Sequence, residues 1–302
     1  MSTIARRKST INEGSKAMDI LLIVITALIC LITIYPMYYV FIMSVSDPKE
    51  VMAKSIFLYP KGFQIDSYIL LFKNKDMWIA YMNTIIYVVT TTVLMIITCG
   101  LGAYPLTVKT LWGREWIVRY LLVPMYFSGG LIPTFLLMSK IGLYNNRFAI
   151  IIPAAVSIWN IILVKTSFQG IPESIRESAF IDGATNLQVL FKIYLPLSKP
   201  ILAVISIYTI VGVWNSWFSA MVYLPSTKYH PLQMYLQRVL VQQSVDLSKL
   251  NSTEMEQAIQ KLYSGMQLKY SIIIFTTLPI IFTYPFFQKY FIKGVMIGSL
   301  KG

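Results

Sequence analysis

A chain of 302 residues that is 56% hydrophobic, with a mean hydropathy of +0.63, exceeds the apolar share of a water-soluble domain and belongs in a bilayer. Its net charge of +13 is spread over loops without a basic stripe, which argues against a nucleic-acid-binding module. One histidine, His230, and two isolated cysteines, Cys30 and Cys99, leave no metal-ligand cluster and no Cys–His nucleophile pair, and no G-x-x-x-x-G-K-[ST] loop is present to cradle nucleotide phosphates. No catalytic residue, metal or bound cofactor is therefore assigned to this chain.

Met1–Met18 is a polar tail carrying Arg6, Arg7, Lys8 and Lys16, and the apolar run behind it is too long for an export signal and lacks a small-residue cleavage site. The first span is expected to be a retained anchor with the tail in the cytoplasm. Six stretches lack Asp, Glu, Lys, Arg and His: Ile20–Ser46, Met77–Val108, Tyr120–Ser139, Phe148–Val164, Pro200–Thr227 and Tyr270–Gln288. Each has about the length of a spanning helix, and hydrocarbon requires every backbone polar group to be satisfied internally, which helices achieve. The fold class is all-α: a tail over 1–18 and a permease domain over 19–302, with spans at about 20–46, 79–108, 119–139, 148–165, 200–226 and 270–289. An even number of spans returns Lys289, Lys293 and Lys301 to the cytoplasmic side. On this topology the inner segments hold 14 basic and 6 acidic residues and the outer ones 12 and 7, so the short tail segments decide the orientation.

The first outer loop, Asp47–Asp76, contains Tyr59-Pro60-Lys61-Gly62 and is expected to form ordered turns. In the second span, Gly100 and Gly102 allow close helix packing, and Asn83-Thr84 stands near the start. The third span holds Phe127-Ser128-Gly129-Gly130-Leu131-Ile132-Pro133, which predicts a kink facing the bundle interior, either as a packing notch or as a passage lining. Span four adds Pro153, Trp159 and Asn160; span five adds Trp214, Asn215, Ser216 and Trp217. An aromatic beside an amide suits a sugar ring, whose C–H face stacks while its hydroxyls hydrogen-bond, although Trp also favours packing and membrane interfaces. The candidate passage is Tyr126, Phe127, Trp159, Asn160, Trp214 and Asn215.

Between spans four and five lies Pro172–Pro200, polar and charged between two apolar runs, within a loop of 171–200. Pro172 and Glu173 suit a helix start. Ile175 and Ala179 share a face, Ser178, Ala179 and Ala184 are small, and Gly183 permits a sharp turn. A second short helix follows from the spacing of Leu187, Leu190 and Phe191 and is expected to end at Leu195-Pro196. The last outer loop, Lys228–Lys269, is expected to project a small helix over Leu247–Tyr263, with Asn251 and Glu254 in a capping arrangement.

The set Glu177, Ser178, Ala179, Asp182, Gly183, Ala184, then Ile193, Leu195 and Pro196, resembles the cytoplasmic EAA loop of bacterial ATP-binding-cassette importer permeases, E-A-A-x-x-x-G followed by I-x-L-P. Ser178 departs from the commonest Ala but keeps a small side chain. Asn83-Thr84, the Trp-Asn-x-Trp of span five and the Lys-Gly carboxyl terminus are similar to carbohydrate-uptake permeases of the maltose type, and Phe127–Pro133 resembles their oligosaccharide or polysaccharide subgroup. The resemblance implies coupling to ATPases through those nine loop residues and a sugar or oligosaccharide cargo. It also implies a second related permease, two cytoplasmic ATPase subunits that bind ATP and Mg, an extracytoplasmic solute-binding protein, and a bacterial plasma-membrane location. The alternatives are an importer for a non-sugar neutral solute and an ion-coupled transporter. The latter usually places ionisable residues within its spans, and the six stretches have none.

Overall fold

The computed structural model describes residues 16–241 and 252–299, and every regular element among them is helical. The basic tail residues Arg6–Lys8, the Asn251 cap and the terminal Lys301-Gly302 lie outside the described residues. Contacts divide the chain into two units, Met1–Ser67 with Asn251–Ile274, and Tyr68–Leu250 with Phe275–Gly302.

In the first unit, α1 (Lys16–Ser44) leaves its apolar side chains uncovered over residues 18–38, as a helix facing lipid tails would. Its far end is different. Ile42 and Met43 pack with Val51 of α2 (Pro48–Met52) and with Ile56, beside Met266 and Tyr270. Gln267 donates to the Ser46 carbonyl at 2.8 Å, and the hydroxyls of Ser67 and Ser271 meet at 2.6 Å. Asp47 caps α2 by accepting from the Lys49 amide at 2.7 Å and takes the Lys61 carbonyl on its own amide at 2.8 Å, so this loop is built of ordered turns. The helix α3 (Asp66–Lys73) follows.

The second unit is arranged around α4 (Lys75–Ala103). Side chains from Met77 to Ala103 are buried along one side of it, small and polar residues included, because other helices cross there. The next elements are α5 (Arg114–Tyr126), α6 (Leu131–Lys140), α7 (Phe148–Ala155) and α8 (Ile158–Gln169). Then come α9 (Glu173–Ile181), α10 (Asn186–Leu197), α11 (Lys199–Trp214), α12 (Trp217–Tyr223) and α13 (Leu232–Val241). The helices α7, α8 and α11 lie against α4. A Cβ on Gly102 would stand 3.2 Å from Ile161 of α8, and the Thr98 hydroxyl donates to the Ala155 carbonyl at 2.6 Å, so α4 and its neighbours approach closely.

Among the described residues, four helical segments are long and apolar enough to cross a membrane: Met18–Ser44, Lys75–Thr107, Phe148–Gln169 and Ser264–Gln288; counting each of two bent pairs as one span raises the total to six. Four sequence expectations need correction. The third span is not a kinked helix: α5 and α6 meet at 111°. Gly130 has φ +83 and ψ −179, a region open essentially to glycine alone, while Pro133 sits harmlessly in the first turn of α6. The fifth span is not continuous over 200–226. It leaves the helix after Trp214, because the Asn215 amide donates to the Val211 carbonyl at 3.0 Å and the Ser216 hydroxyl to the Val213 carbonyl at 2.7 Å. Val211 still accepts its helical bond from the Asn215 backbone at 3.1 Å, whereas the Val213 carbonyl is taken by the Ser216 amide and hydroxyl in place of the next helical turn.

The second loop helix does not end at Leu195-Pro196. Residues Leu190–Tyr194 form a π-helical turn, with the Leu195 amide bonded to the Leu190 carbonyl, and the helix runs on to Leu197 before bending by 83° into α11. The widened turn shifts the hydrogen-bond register so that the missing N–H of Pro196 is accommodated. Finally, the helix expected over Leu247–Tyr263 is not a separate element. From Ser252 onward it is the start of α14 (Ser252–Ser299), which carries Pro279 and Pro285 within it.

Candidate functional site

The loop between α8 and α11 is closed by local hydrogen bonds. At the end of α9 the Ala184 amide donates to the Ala179 carbonyl at 2.9 Å and the Gly183 amide to the Phe180 carbonyl at 3.0 Å, the two bonds of a Schellman turn with Gly183 in the left-handed region at φ +79. No atom lies within 4 Å of where a Cβ on Gly183 would stand, so the conformation and not crowding demands glycine. The following helix starts with a capping box: the Thr185 hydroxyl accepts from the Gln188 amide at 3.3 Å, and the Gln188 side chain accepts from the Thr185 amide at 2.8 Å. The signal was present in the sequence as Thr185-Asn186-Leu187-Gln188 and was passed over.

One side of this helix pair is anchored. Ala179, Val189, Leu190 and Tyr194 are buried in a cluster with Cys99, Ala103 and Tyr104 of the α4 end and Val164 and Phe168 of α8, and Ala184, Ile193 and Leu195 pack at its margin. The Tyr194 ring meets those of Tyr104 and Phe168 edge-on at 5.1 and 5.2 Å. Tyr104 also donates to Asn186 at 3.1 Å. Beside the loop, Lys109 holds Glu173 at 2.6 Å, and this contact keeps the Glu173 carboxyl below the usual carboxylate range. The opposite side is bare. Glu177, Ser178, Asp182, Gly183 and Pro196 are exposed, together with the apolar Ile181 (86% exposed), Leu187 and Phe191.

Farther along the same unit, α7, α8, α11 and α12 enclose an open cavity of about 600 Å³. Its wall includes Trp159, Asn160, Ser157, Tyr208, Thr209, Ser216 and Ser219, and among its lining residues there is no charged side chain. Trp159 presents its indole at 53% exposure. Asn160 is buried, with its amide 3.6 Å from the Met95 sulfur.

Of the six candidate passage residues, the cavity brings together only Trp159 and Asn160. Trp214 is 6% exposed, donates from its indole to the Thr276 carbonyl at 3.0 Å and meets Tyr81 edge-on. It is a packing residue within this subunit, because its hydrogen bond and its ring face are both taken. Asn215 is exposed, turned back onto Val211 and bonded by Gln233 at 3.3 Å. Tyr126 and Phe127 are exposed at the α5–α6 break, outside the cavity. Tyr208, Thr209, Ser216 and Ser219, outside the candidate set, also line the cavity; the break after Trp214 separates the first two from the last two, so no single helical period joins them.

The sequence profile described as binding-protein-dependent transport system inner membrane component matches residues 76–297. The chain belongs to that family. As a member it is a membrane permease subunit of a transport system that depends on a binding protein. Among the relatives of this permease are protein LplC of Bacillus subtilis (strain 168), 34% identical over 96% of this chain and 97% of that one, and a second protein of the same strain. That one is the polygalacturonan/rhamnogalacturonan transport system permease protein YtcP, 34% identical over 95% of this chain and 99% of its own. The permease is also similar to a chain in the crystal structure of a bacterial ABC transporter involved in the import of the acidic polysaccharide alginate. There the TM-score is 0.82 at 35% identity, covering 91% of this chain and 97% of that one.

Proposed function

We propose that this chain is the permease half of an ATP-driven importer for a sugar or oligosaccharide. The observation that carries the reading is the cavity: an exposed indole beside hydroxyls and an amide, with no charge in its wall. That pairing offers a stacking face and hydrogen bonds to a neutral, hydroxyl-rich ring. Relatives named for polygalacturonan/rhamnogalacturonan transport and for import of the acidic polysaccharide alginate support a saccharide cargo, while the uncharged wall of this cavity meets the hydroxyls of the sugar and not a carboxylate. The exposed faces of Tyr126, Phe127 and Asn215 complete the passage against a second, related permease.

The helix pair α9–α10 is the ATPase-docking element. Its apolar Ile181, Leu187 and Phe191 and its acidic Glu177 and Asp182 face away from the bundle, ready to meet an ATPase surface, while Ala179, Ile193 and Leu195 tie the pair to α4 and α8. Gly183, Ala184 and Ser178 keep the turn tight, and Pro196 sets the exit. In this reading two cytoplasmic ATPase subunits bind ATP and Mg, both termini of this chain are cytoplasmic, and an extracytoplasmic solute-binding protein delivers cargo to the outer loop beginning at Lys228. The protein resides in a bacterial plasma membrane.

The test is reconstitution with the companion permease, ATPase and binding protein in vesicles. Loaded binding protein is expected to stimulate ATP hydrolysis and drive uptake of labelled oligosaccharide, and Glu177→Lys is expected to abolish uptake while the chain still inserts. Uptake of an amino acid or ion in place of sugars would refute the cargo assignment. Normal uptake by Glu177→Lys would refute the docking assignment.

A further inference from the structure

At the other end of α4 from the docking loop, three consecutive-face residues hold a neighbouring segment by its backbone. Asn83, Thr84 and Tyr87 are each at most 1% exposed. The Asn83 amide donates to the carbonyls of Lys228 and His230 at 2.8 and 3.1 Å. Thr84 accepts from the Leu232 amide at 2.7 Å, and Tyr87 donates to the Tyr229 carbonyl at 2.7 Å. The remaining side of Asn83, its oxygen, accepts from Arg147 at 2.8 Å, and the same guanidinium lies over the Tyr229 ring at 5.6 Å. Segment 228–232 is thus bonded to one helix through Lys228, Tyr229, His230 and Leu232, with Arg147 of the neighbouring turn locking the amide that makes two of the contacts.

Such a clamp exceeds what packing requires. A bare helix face and a loop could meet through apolar contact, yet here a buried amide uses both of its donors and one acceptor site. Removing a donor from such a place strands carbonyls away from water. The segment opens the loop that, in the reading above, receives the solute-binding protein. A loop held in one conformation before docking loses less entropy on docking.

We propose that Asn83 and Arg147 are positioning residues that fix segment 228–232 on α4 and so present a preformed docking surface to the solute-binding protein. This rests on the proposed role of the outer loop. The two residues do not touch cargo or partner: Asn83 aims the segment, and Arg147 holds Asn83 in the orientation that points both donors at it.

The experiment titrates loaded binding protein against ATP hydrolysis in vesicles containing the complete transporter. Asn83→Asp keeps the acceptor for Arg147 but loses both donors. It is expected to raise the half-maximal concentration of binding protein about tenfold, as loss of a buried hydrogen-bonding group would, while the rate at saturation is retained. Thr84→Val, matched in volume and lacking the hydroxyl, gives a second reading if Asn83→Asp inserts poorly, and is expected to shift the same parameter. The double variant Asn83→Ala with Arg147→Ala is expected to shift the same parameter by less than the sum of the two single shifts, since the Asn83–Arg147 bond is shared while the Arg147 contact with the Tyr229 ring is separate. An unchanged half-maximal concentration in Asn83→Asp and Thr84→Val overturns the clamp. A photoreactive residue at exposed Val241 separates the two levels: capture of the binding protein with normal titrations sinks only the clamp, and no capture at any binding-protein concentration sinks the outer-loop role and the clamp with it.

Discussion

Leu195 of the loop between α8 and α11 lies 3.3 Å from the place where a Cβ would stand on Gly100 of α4, and Leu190 lies 3.6 Å from it. The loop therefore rests on α4 at a point where the helix has no side chain. Gly100→Ala is expected to be tolerated, because the opposing atoms are the ends of flexible leucines and helix propensity rises by about 1 kcal/mol. Gly100→Ile adds volume that Leu190 and Leu195 have no room to absorb, at a cost of about 1–3 kcal/mol. Co-purification of the ATPase from membranes checks both, with assembly kept in the first variant and weakened in the second.

Gly183 is held by conformation alone. Gly183→Ala places an L-residue at φ +79 without a clash, costing about 1–2 kcal/mol, and Gly183→Asn is expected to be the mildest replacement since Asn tolerates this region. Gly183→Val combines the strained conformation with β-branching. ATPase retention is expected to follow the order Gly, Asn, Ala, Val; equal retention across the series contradicts the conformational account.

The two Trp-Asn pairs are expected to behave differently. Trp159→Ala opens an already exposed cavity wall and is expected to lower oligosaccharide uptake at normal membrane abundance. Trp214→Ala empties a packed position and removes the bond to the Thr276 carbonyl, costing about 3–5 kcal/mol, so the amount of assembled protein is expected to fall. Quantitative immunoblotting beside uptake distinguishes the outcomes, and reduced uptake with full abundance in Trp214→Ala returns that residue to the passage.

Acid is expected to loosen the segment around His230. Burial, and then the Arg238 guanidinium bonded to Nδ1, hold its imidazole below the usual 6.5, against the opposing effect of the Leu224 carbonyl. Because the Arg238 guanidinium can only donate, Nδ1 accepts from it and Nε2–H donates to the Leu224 carbonyl at 2.8 Å, an arrangement open to the neutral ring. Lys228, Arg238, Asp76 and Tyr235 share the small cleft with it. Because the folded value is depressed, the unfolded segment binds the proton more readily. Stability is therefore fully present above about pH 6.5 and falls as pH drops below it. Proteolytic cleavage of the 224–232 segment is expected to accelerate between pH 6.5 and 5, and His230→Gln to flatten that dependence.

The sequence by itself determined the membrane character, the all-helical class and the glycine-centred turn between two short helices in the loop of 171–200. Runs without charge must satisfy their own backbone in lipid, and that demand is local. The turn at Gly183 is likewise made by bonds among Ala179, Phe180, Gly183 and Ala184, so a short motif carries it. The weak point at Gly130 was visible as composition but not as an angle, and the break at Asn215 was not visible at all, because both depend on what each half-helix packs against. Tertiary structure alone decided which of two similar Trp-Asn pairs faces a cavity: Trp214 is spent on Thr276 and Tyr81, whereas Trp159 has an open face. It also decided the meaning of Asn83, whose partners Arg147, Lys228 and His230 are distant in the chain. Hydrogen bonds between residues so far apart leave no periodicity to read, and only the folded helices bring the donors to their acceptors.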